Sequence, residues 1–557
     1  MKKSIRYALI FLFTANIMIF SSCKQNTPAN SDDVTTESDT AENDTYKIDL
    51  SGLTPWDKSD SFDAKTGKLS AKNGWGAGIG FASLDISKYK YLEIKYREPA
   101  SHFEVKIEYN DKSESKSFCK KRANVAYVAL NGNKVNYISI SKGQSDFSVF
   151  FDSMTFVGKK PEESSQNKKP VVDKKSGSFN SSISALDLAK EMKVGWNLAG
   201  SLDADVSLGR QNASTESLDF IRSLGTETEE CWGNKPYTTK EIINFPKSNG
   251  YSSIRIPVTW YNHIIDDNYT IDSEWMARVK EVVDWAMEAG YYVILDSHHD
   301  VAEYIVSPLR KTNGYVVKNE ATDIAESKRF IKAIWTQIST AFNGSYDEHL
   351  IFETLNEPRN VQHEHQWSAS YWGSYCDECK ADYKILNEYN QLCLDTKRAS
   401  GGNNANRFVM VPGLATGDQT PLLDLFKMPQ DTATDKLLLT VHNYILGCEP
   451  KPEITKFTST HQQELESTFS KLIEKFVKNG IPVVIGETSA NRLQLPKSER
   501  INWITYFSGL TSGYGMPLIY WDIPEDSGYS LDQFDRKNLK FIEPDFVQAM
   551  LDNWECE

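Results

Sequence analysis

Two apolar runs in this chain each lead into a glutamate. Leu350-Ile351-Phe352 passes through Glu353-Thr354-Leu355 into Asn356-Glu357-Pro358, and far downstream Pro482-Val483-Val484-Ile485-Gly486 ends in Glu487-Thr488. Short apolar runs of this kind read as strands buried on both faces. Proline cannot donate to a sheet ladder and biases the residue before it away from helix, so Glu357 is expected where a buried strand gives way to a loop. A carboxyl group there is partly desolvated, which raises its pKa and suits it to general acid work. Asn356 beside it offers both a donor and an acceptor, as recognition of a sugar hydroxyl requires. Either stretch alone is equally well an ordinary strand end. Two carboxyl groups at two strand ends are what glycoside hydrolysis needs, one as acid and one as nucleophile or base.

Positioning that pair falls to residues 179–557. From about residue 180 apolar runs alternate with helical patterns, with candidate strands at 194–199, 252–258, 291–298, 350–356, 408–413, 437–444, 482–487 and 517–522. Trp275, Val279, Val282, Val283 and Ala286 keep one helical face, and Gly290 stops that helix before the next strand. Thr238 and Glu241 fit a capping box at the start of another helix. Eight buried strands with intervening helices predict a (β/α)8 barrel with enlarged loops, an α/β fold whose chemistry gathers at the C-terminal ends of the strands. There the chain reads Arg255 and Trp260 after strand two, His298-His299 after strand three and Asn356-Glu357 after strand four. His442 and Tyr444 follow strand six, Glu487 strand seven and Trp521 strand eight. Singly, each has a plain reading as a structural ion pair, a core histidine or a packing ring. Together, in this order, they form a constellation.

Several segments carry a family resemblance. Gly195-Trp196-Asn197-Leu198, Glu230-Cys231-Trp232-Gly233-Asn234, Ile254-Arg255-Ile256-Pro257-Val258-Thr259-Trp260, Ser297-His298-His299-Asp300, Glu353-Thr354-Leu355-Asn356-Glu357-Pro358-Arg359 and Phe534-Asp535-Arg536 make most of 190–545 resemble the endoglucanase branch of glycoside hydrolase family 5. The resemblance implies a retaining endo-β-1,4-glucanase that cuts plant β-glucan polysaccharides or oligosaccharides without a cofactor. It implies Glu357 as acid/base and Glu487 as nucleophile, held ionised and oriented by Arg255 and Tyr444. It further implies that Asn197, His298, His299 and His442 line the sugar, with Asn356 on its 2-hydroxyl and Trp521 beneath its face. The physics of the residues agrees: a carboxylate near a guanidinium and a phenol has its charged form favoured, whereas Glu357, with no cation directly adjacent in sequence, can stay protonated.

Two departures bear on the substrate rather than the reaction. Ala199-Gly200-Ser201-Leu202-Asp203-Ala204 stands where the family's endoglucanases commonly have Gly-Asn-Thr-Leu-Asp-Ala, and His442-Asn443-Tyr444-Ile445-Leu446 leaves the usual aromatic-rich pattern. The alternatives are the same machinery turned on xyloglucan, mixed-linkage glucan or mannan, or a surface protein that grips glycan without cutting it. The presence of both glutamates argues against the last.

The N-terminal third reads differently. Lys2, Lys3 and Arg6 precede an apolar run from Tyr7 to Phe20 and then Ser21-Ser22-Cys23, so residues 1–23 read as a signal peptide. Cys23 resembles the acylated cysteine of bacterial lipoproteins, which implies a lipid anchor at the cell envelope, the alternative being a simply secreted protein. Residues 24–45 are polar and read as a flexible tether. From 46 to 158 the period is two, with Leu92/Ile94/Tyr96, Phe103/Val105/Ile107/Tyr109 and Phe147/Val149/Phe151 alternating with polar residues, which predicts a small antiparallel β-sandwich. It resembles a carbohydrate-binding module of the jelly-roll kind, with Trp56, Trp75 and Tyr89 either stacking on sugar or packing the core. Residues 159–178 read as a linker. The formal charge of −14 argues against nucleic acid as a partner, and a monomer that meets the membrane only through its lipid is expected.

One loop fits nothing in that scheme. His363, His365, Cys376 and Cys379, with Trp367 and Trp372 among them, supply ligand types suited to zinc. Their spacing is not that of a zinc finger, and an exported protein can pair such cysteines, so no metal is expected. Of the 8 cysteines, those besides Cys23 are odd in number, which leaves at least one thiol free or paired between chains.

Overall fold

The computed structural model describes residues 45–554 apart from 73, 101–102, 122, 143–145, 160–178, 206–223, 233–235, 302–312, 368–375, 419–423, 448–453 and 524–529. The expected signal peptide with Cys23, nearly all of the tether, nearly all of the linker and Trp372 lie outside the described residues. Among those described, no helix is long and apolar enough to cross a membrane.

Eight parallel strands close into a barrel: β1 (Val194–Leu198), β2 (Ser253–Ile256), β3 (Tyr292–Leu295), β4 (Leu350–Glu353), β5 (Val409–Gly417), β6 (Leu437–His442), β7 (Val483–Thr488) and β8 (Leu518–Asp522). Every expected strand is present, with ends that differ by a few residues. Alternate residues of a strand face opposite sides, and here both sides are buried. One set, including Ile294, Ile351, Met410, Leu438, Val484 and Ile519, fills the barrel's interior and meets helix α1 (Ala185–Met192) through Ala185, Leu188 and Met192. The other set, such as Val293, Phe352, Val441 and Ile485, joins the core between the barrel and the helices around it.

Those helices are α2 (Lys240–Ser248), α3 (Ser273–Ala289), α4 (Ala321–Ala341), α5 (Asp377–Ala399), α6 (Ser459–Lys475), α7 (Lys497–Gly513) and α8 (Pro544–Asp552). Helix α3 follows the expected pattern. Asp272 caps its first turn, the apolar face from Trp275 to Ala286 is buried, and Gly290 ends it at φ 79°, a left-handed conformation that glycine adopts without steric cost. The cap of α2 corrects the sequence reading: Thr239, not Thr238, accepts the amide of Ile242, while Thr238 turns away to the hydroxyl of Ser201.

Residues 45–157 form two antiparallel sheets, of six and five strands. The alternating residues do face inward as their period requires: Leu92, Ile94, Tyr96, Phe103, Val105, Ile107, Tyr109, Phe147, Val149 and Phe151 are buried in a core that includes no barrel residue. A bulge between Phe151 and Ser153 then shifts the inward register to Met154 and Phe156. Of the three rings considered for sugar stacking, Tyr89 is buried in this core, whereas Trp56 and Trp75 are 42% and 60% exposed. Sandwich and barrel meet through charged groups, Lys120 with Glu274 at 2.9 Å and Lys121 with Glu230 at 3.6 Å.

Candidate active site

The inward positions of the strands change character toward their C-terminal ends. Beyond the apolar interior come Asn197, Arg255, Asp296 and Glu353, all fully buried. The Arg255 guanidinium is the centre of this layer. It donates to Glu353 at 2.5 Å, to Asp296 at 2.7 Å, to Glu487 at 2.8 Å, to Asn356 Oδ1 at 2.8 Å and to Asn197 Oδ1 at 3.0 Å. A buried ion that is paired and fully hydrogen-bonded in this way is held rigidly. Burial works against the arginine's charge, but Glu353, Asp296 and Glu487 outweigh it and keep the group firmly cationic.

Asn197 therefore takes a different place from the one expected, whereas Arg255 holds Glu487 as expected. Neither exposes surface to a sugar; Asn197 spends its amide on the carbonyls of Gly486 and Tyr520, and both residues lie beneath the cleft as its support. Trp260 is also fully buried, its indole bonded to the Asp296 carbonyl, and is part of the core.

Glu487 reaches the cleft through a break in regularity. The β6–β7 register shifts between Val441 and His442, and the β7–β8 register shifts between Ile485 and Thr488. Bulges re-aim side chains. Gly486 makes the fit possible, because a Cβ there would stand 2.6 Å from the Thr440 hydroxyl. The Glu487 carboxylate then accepts from Arg255 on one oxygen and, on the other, from the Tyr444 hydroxyl at 2.8 Å, with His442 Nδ1 at 3.4 Å.

Glu357 lies four residues past the end of β4. Its φ of 42° is uncommon for a residue with a side chain, a conformation that persists only where neighbours enforce it. Thr416 accepts its N–H at 3.0 Å, and Arg359 Nη1 donates to its carbonyl at 2.7 Å. Its carboxylate accepts from His442 Nδ1 at 3.0 Å and has Arg359 at 3.7 Å. An oxygen of Glu357, a ring nitrogen of His442 and an oxygen of Glu487 all lie within 4.8 Å of one another.

The shifts of this pair run in directions opposite to those expected from the sequence. Burial pushes Glu487 up to about 7, with the charge of Glu357 adding to it, against the pull of His442, Arg255 and the Tyr444 hydroxyl. Burial also raises Glu357, but the hydrogen bond and charge of His442, with Arg359 adding to them, outweigh it and bring it below its ordinary value. Burial lowers His442, and Glu487 and Glu357 more than restore it, so the net shift is upward. Groups coupled this closely hold their protons jointly.

The remaining expected residues line the opening. His298, kept neutral by burial and by Arg255, bonds Asp296 at 2.8 Å and stacks on Trp521 with ring centres 5.5 Å apart and planes at 7°. Asn356 Nδ2 lies 3.5 Å from His298 Nε2, and His299 packs against Trp232. The sequence reading missed the supporting roles of Asp296, Glu353, Arg359 and Thr416. Asp296 and Glu353 carry a signal, since each is an acid at the end of an apolar run where burial demands a cation. Thr416 has none.

Known proteins resemble this chain over the barrel region. The family model for cellulase (glycosyl hydrolase family 5) matches residues 213–527. Endoglucanase B of Ruminococcus albus is 36% identical over 344 residues, covering 61% of this chain and 73% of that protein. A glycoside hydrolase 5 lichenase from Caldicellulosiruptor sp. F32, in complex with cellotetraose, superposes with a TM-score of 0.58 at 32% identity, covering 68% of this chain and 97% of that one. A xyloglucan-specific endo-β-1,4-glucanase from a metagenomic library, in complex with cellotriose, gives 0.55 at 29% identity over 66% and 98% of the two chains.

Proposed function

The chain belongs to glycosyl hydrolase family 5 and is an endoglucanase by its relatives, and on that premise we propose that it hydrolyses internal β-1,4 bonds of β-glucans with retention, using Glu487 as nucleophile and Glu357 as acid/base. The closeness of the two carboxyl groups to each other and to His442 carries this reading. Retaining sites hold their carboxyl groups about 5–5.5 Å apart, so that one touches the sugar carbon, whereas inverting sites leave about 6.5–9.5 Å for a water.

In the free site Glu357, His442 and Glu487 share their protons. The glycosidic oxygen displaces His442 from Glu357, the proton settles on Glu357, and Glu487 is left ionised between Arg255 and Tyr444. Glu487 attacks the anomeric carbon while Glu357 protonates the departing oxygen; one C–O bond forms as the other breaks. Water then enters, gives its proton to Glu357 and attacks the same carbon, which frees Glu487 as a carboxylate. Asn356, its Oδ1 tied to Arg255, presents its Nδ2 donor to the 2-hydroxyl, and Trp521 offers its face to the ring.

Mixed-linkage and xyloglucan backbones are the second reading, favoured by the lichenase and the xyloglucanase among the structural neighbours. Release of reducing sugar from carboxymethylcellulose, mixed-linkage glucan, xyloglucan and mannan ranks these, and mannan is expected to be inert. Glu487→Ala should abolish turnover and leave glycan binding. Glu357→Ala should lose on the order of 10²–10⁴-fold on polysaccharide but much less on aryl glycosides with acidic leaving groups, which need no proton. Turnover retained by Glu487→Ala contradicts the assignment.

A further inference from the structure

The loop after β4 gathers a second set of reactive side chains, outside the cleft. Cys376 is the N-cap of α5, its sulfur accepting the amide of Cys379 one turn on. His363 and His365 arrive from the loop, and His363 and Cys379 are buried. Each of the four contributes one atom to a group that fits within 4.8 Å.

The distances within that group are informative. The sulfurs are 3.5 Å apart; His363 Nε2 is 3.0 Å from Cys376 Sγ and 3.5 Å from Cys379 Sγ, and His365 Nδ1 is 3.5 Å from Cys379 Sγ. A tetrahedral ion with bonds of about 2.3 Å to sulfur and 2.0–2.1 Å to nitrogen sets its sulfurs about 3.8 Å apart and its sulfur–nitrogen pairs about 3.5 Å apart. Three of the four distances agree within a few tenths of an ångström. A disulfide needs about 2.05 Å between sulfurs, and both thiols are free.

Hydrogen bonding alone accounts for less. The amide of His365 lies 2.9 Å from His363 Nδ1. Without a metal that nitrogen accepts, and Nε2–H donates to Cys376; with a metal on Nε2 the proton moves to Nδ1 and the two N–H groups part by a small rotation. A chain of hydrogen bonds, from His363 Nε2–H to Cys376, from Cys376 S–H to Cys379 and from Cys379 S–H to His365 Nδ1, accounts for these contacts pair by pair but not for the gathering of all four ligand atoms within 4.8 Å of one another. Convergence of two sulfurs and two imidazoles on one point is what a shared cation produces.

We propose that His363, His365, Cys376 and Cys379 form a closed structural site for zinc, which ties the loop after β4 to the start of α5. Two thiolates and two imidazoles in tetrahedral array select zinc among the divalent ions, and four protein ligands leave no open position for catalysis. The consequence reaches the cleft. Between the two ligand pairs the loop carries Trp367, half-exposed, with the Arg359 guanidinium 3.6 Å from its ring centre, and the same guanidinium holds the Glu357 carbonyl. The metal thereby fixes the wall beside Glu357. The spacing alone argued for no metal; the geometry argues for one.

The test is the metal content of the full chain, purified without a histidine tag or chelator, read by mass spectrometry of the elements alongside a thiol count. One zinc per chain is expected, lost in Cys376→Ser and Cys379→Ser and kept in Cys231→Ser and Cys393→Ser. Cobalt(II) added to the metal-stripped wild type should give thiolate charge-transfer and tetrahedral ligand-field bands, a readout that does not depend on any variant folding. Three outcomes overturn the proposal: no zinc even after zinc chloride is added to the reduced, metal-stripped chain; a Cys376–Cys379 disulfide in the peptide map; or zinc retained by the double serine variant.

Discussion

Glu357 and Glu487 meet through His442, whose Nδ1 stands 3.0 Å from one carboxylate and 3.4 Å from the other. That histidine lowers the pKa of both acids, so it decides the pH at which Glu487 becomes a nucleophile. Because Glu487 is raised to about 7 by burial even with His442 present, the acidic limb of kcat/KM against pH should lie well above the ordinary glutamate value. His442→Asn removes a lowering influence and should move that limb to still higher pH. A limb that stays put or moves down contradicts the coupling. The glutamates themselves were legible in sequence, since proline after Glu357 and the apolar run before Glu487 mark strand ends. Their ionisation was not. It depends on Arg359 and His442 reaching Glu357 and on how deeply Glu487 is buried beside Glu357, which only the packing decides.

Among the elements, the barrel strands were readable because both of their faces are buried and their apolar runs stand out. The same period of two that fills the interior with Ile294, Ile351 and Val484 delivers Arg255, Asp296 and Glu353 to one layer under the cleft. The bulges flanking Glu487 were invisible, because a register shift leaves no mark in composition. The α2 cap was misplaced by one residue for a similar reason: Thr238 and Thr239 are equivalent in sequence until Ser201 claims the first. The arginine layer makes a prediction at this scale. Arg255→Lys keeps the charge but loses the planar fork that serves five partners, leaving buried carboxylates unpaired. A loss on the order of 3–5 kcal/mol is expected, read as a lower midpoint of denaturant unfolding, together with loss of activity. An unchanged midpoint would mean that the layer is not what holds the strand ends in place.

For the whole molecule, the sandwich and the barrel bury separate cores and touch through lysine–glutamate pairs. Exposed pairs of this kind are worth little, about 0–1 kcal/mol each. A chain beginning at residue 179 should therefore fold and cleave soluble glucan at close to the full rate. Lacking Cys23, which we propose carries a lipid anchor, it should also leave the membrane fraction. Aggregation of the shortened chain would show that the barrel depends on the sandwich. What the assembled cleft does to its substrate is recorded in the product. Proton NMR of cellotetraose hydrolysis, followed from the first turnovers before the sugar mutarotates, tests the two-glutamate account most directly. Retention predicts that the β-anomer of the new reducing end appears first and the α-anomer only later. The α-anomer appearing first would mean that a water, not Glu487, attacks the sugar.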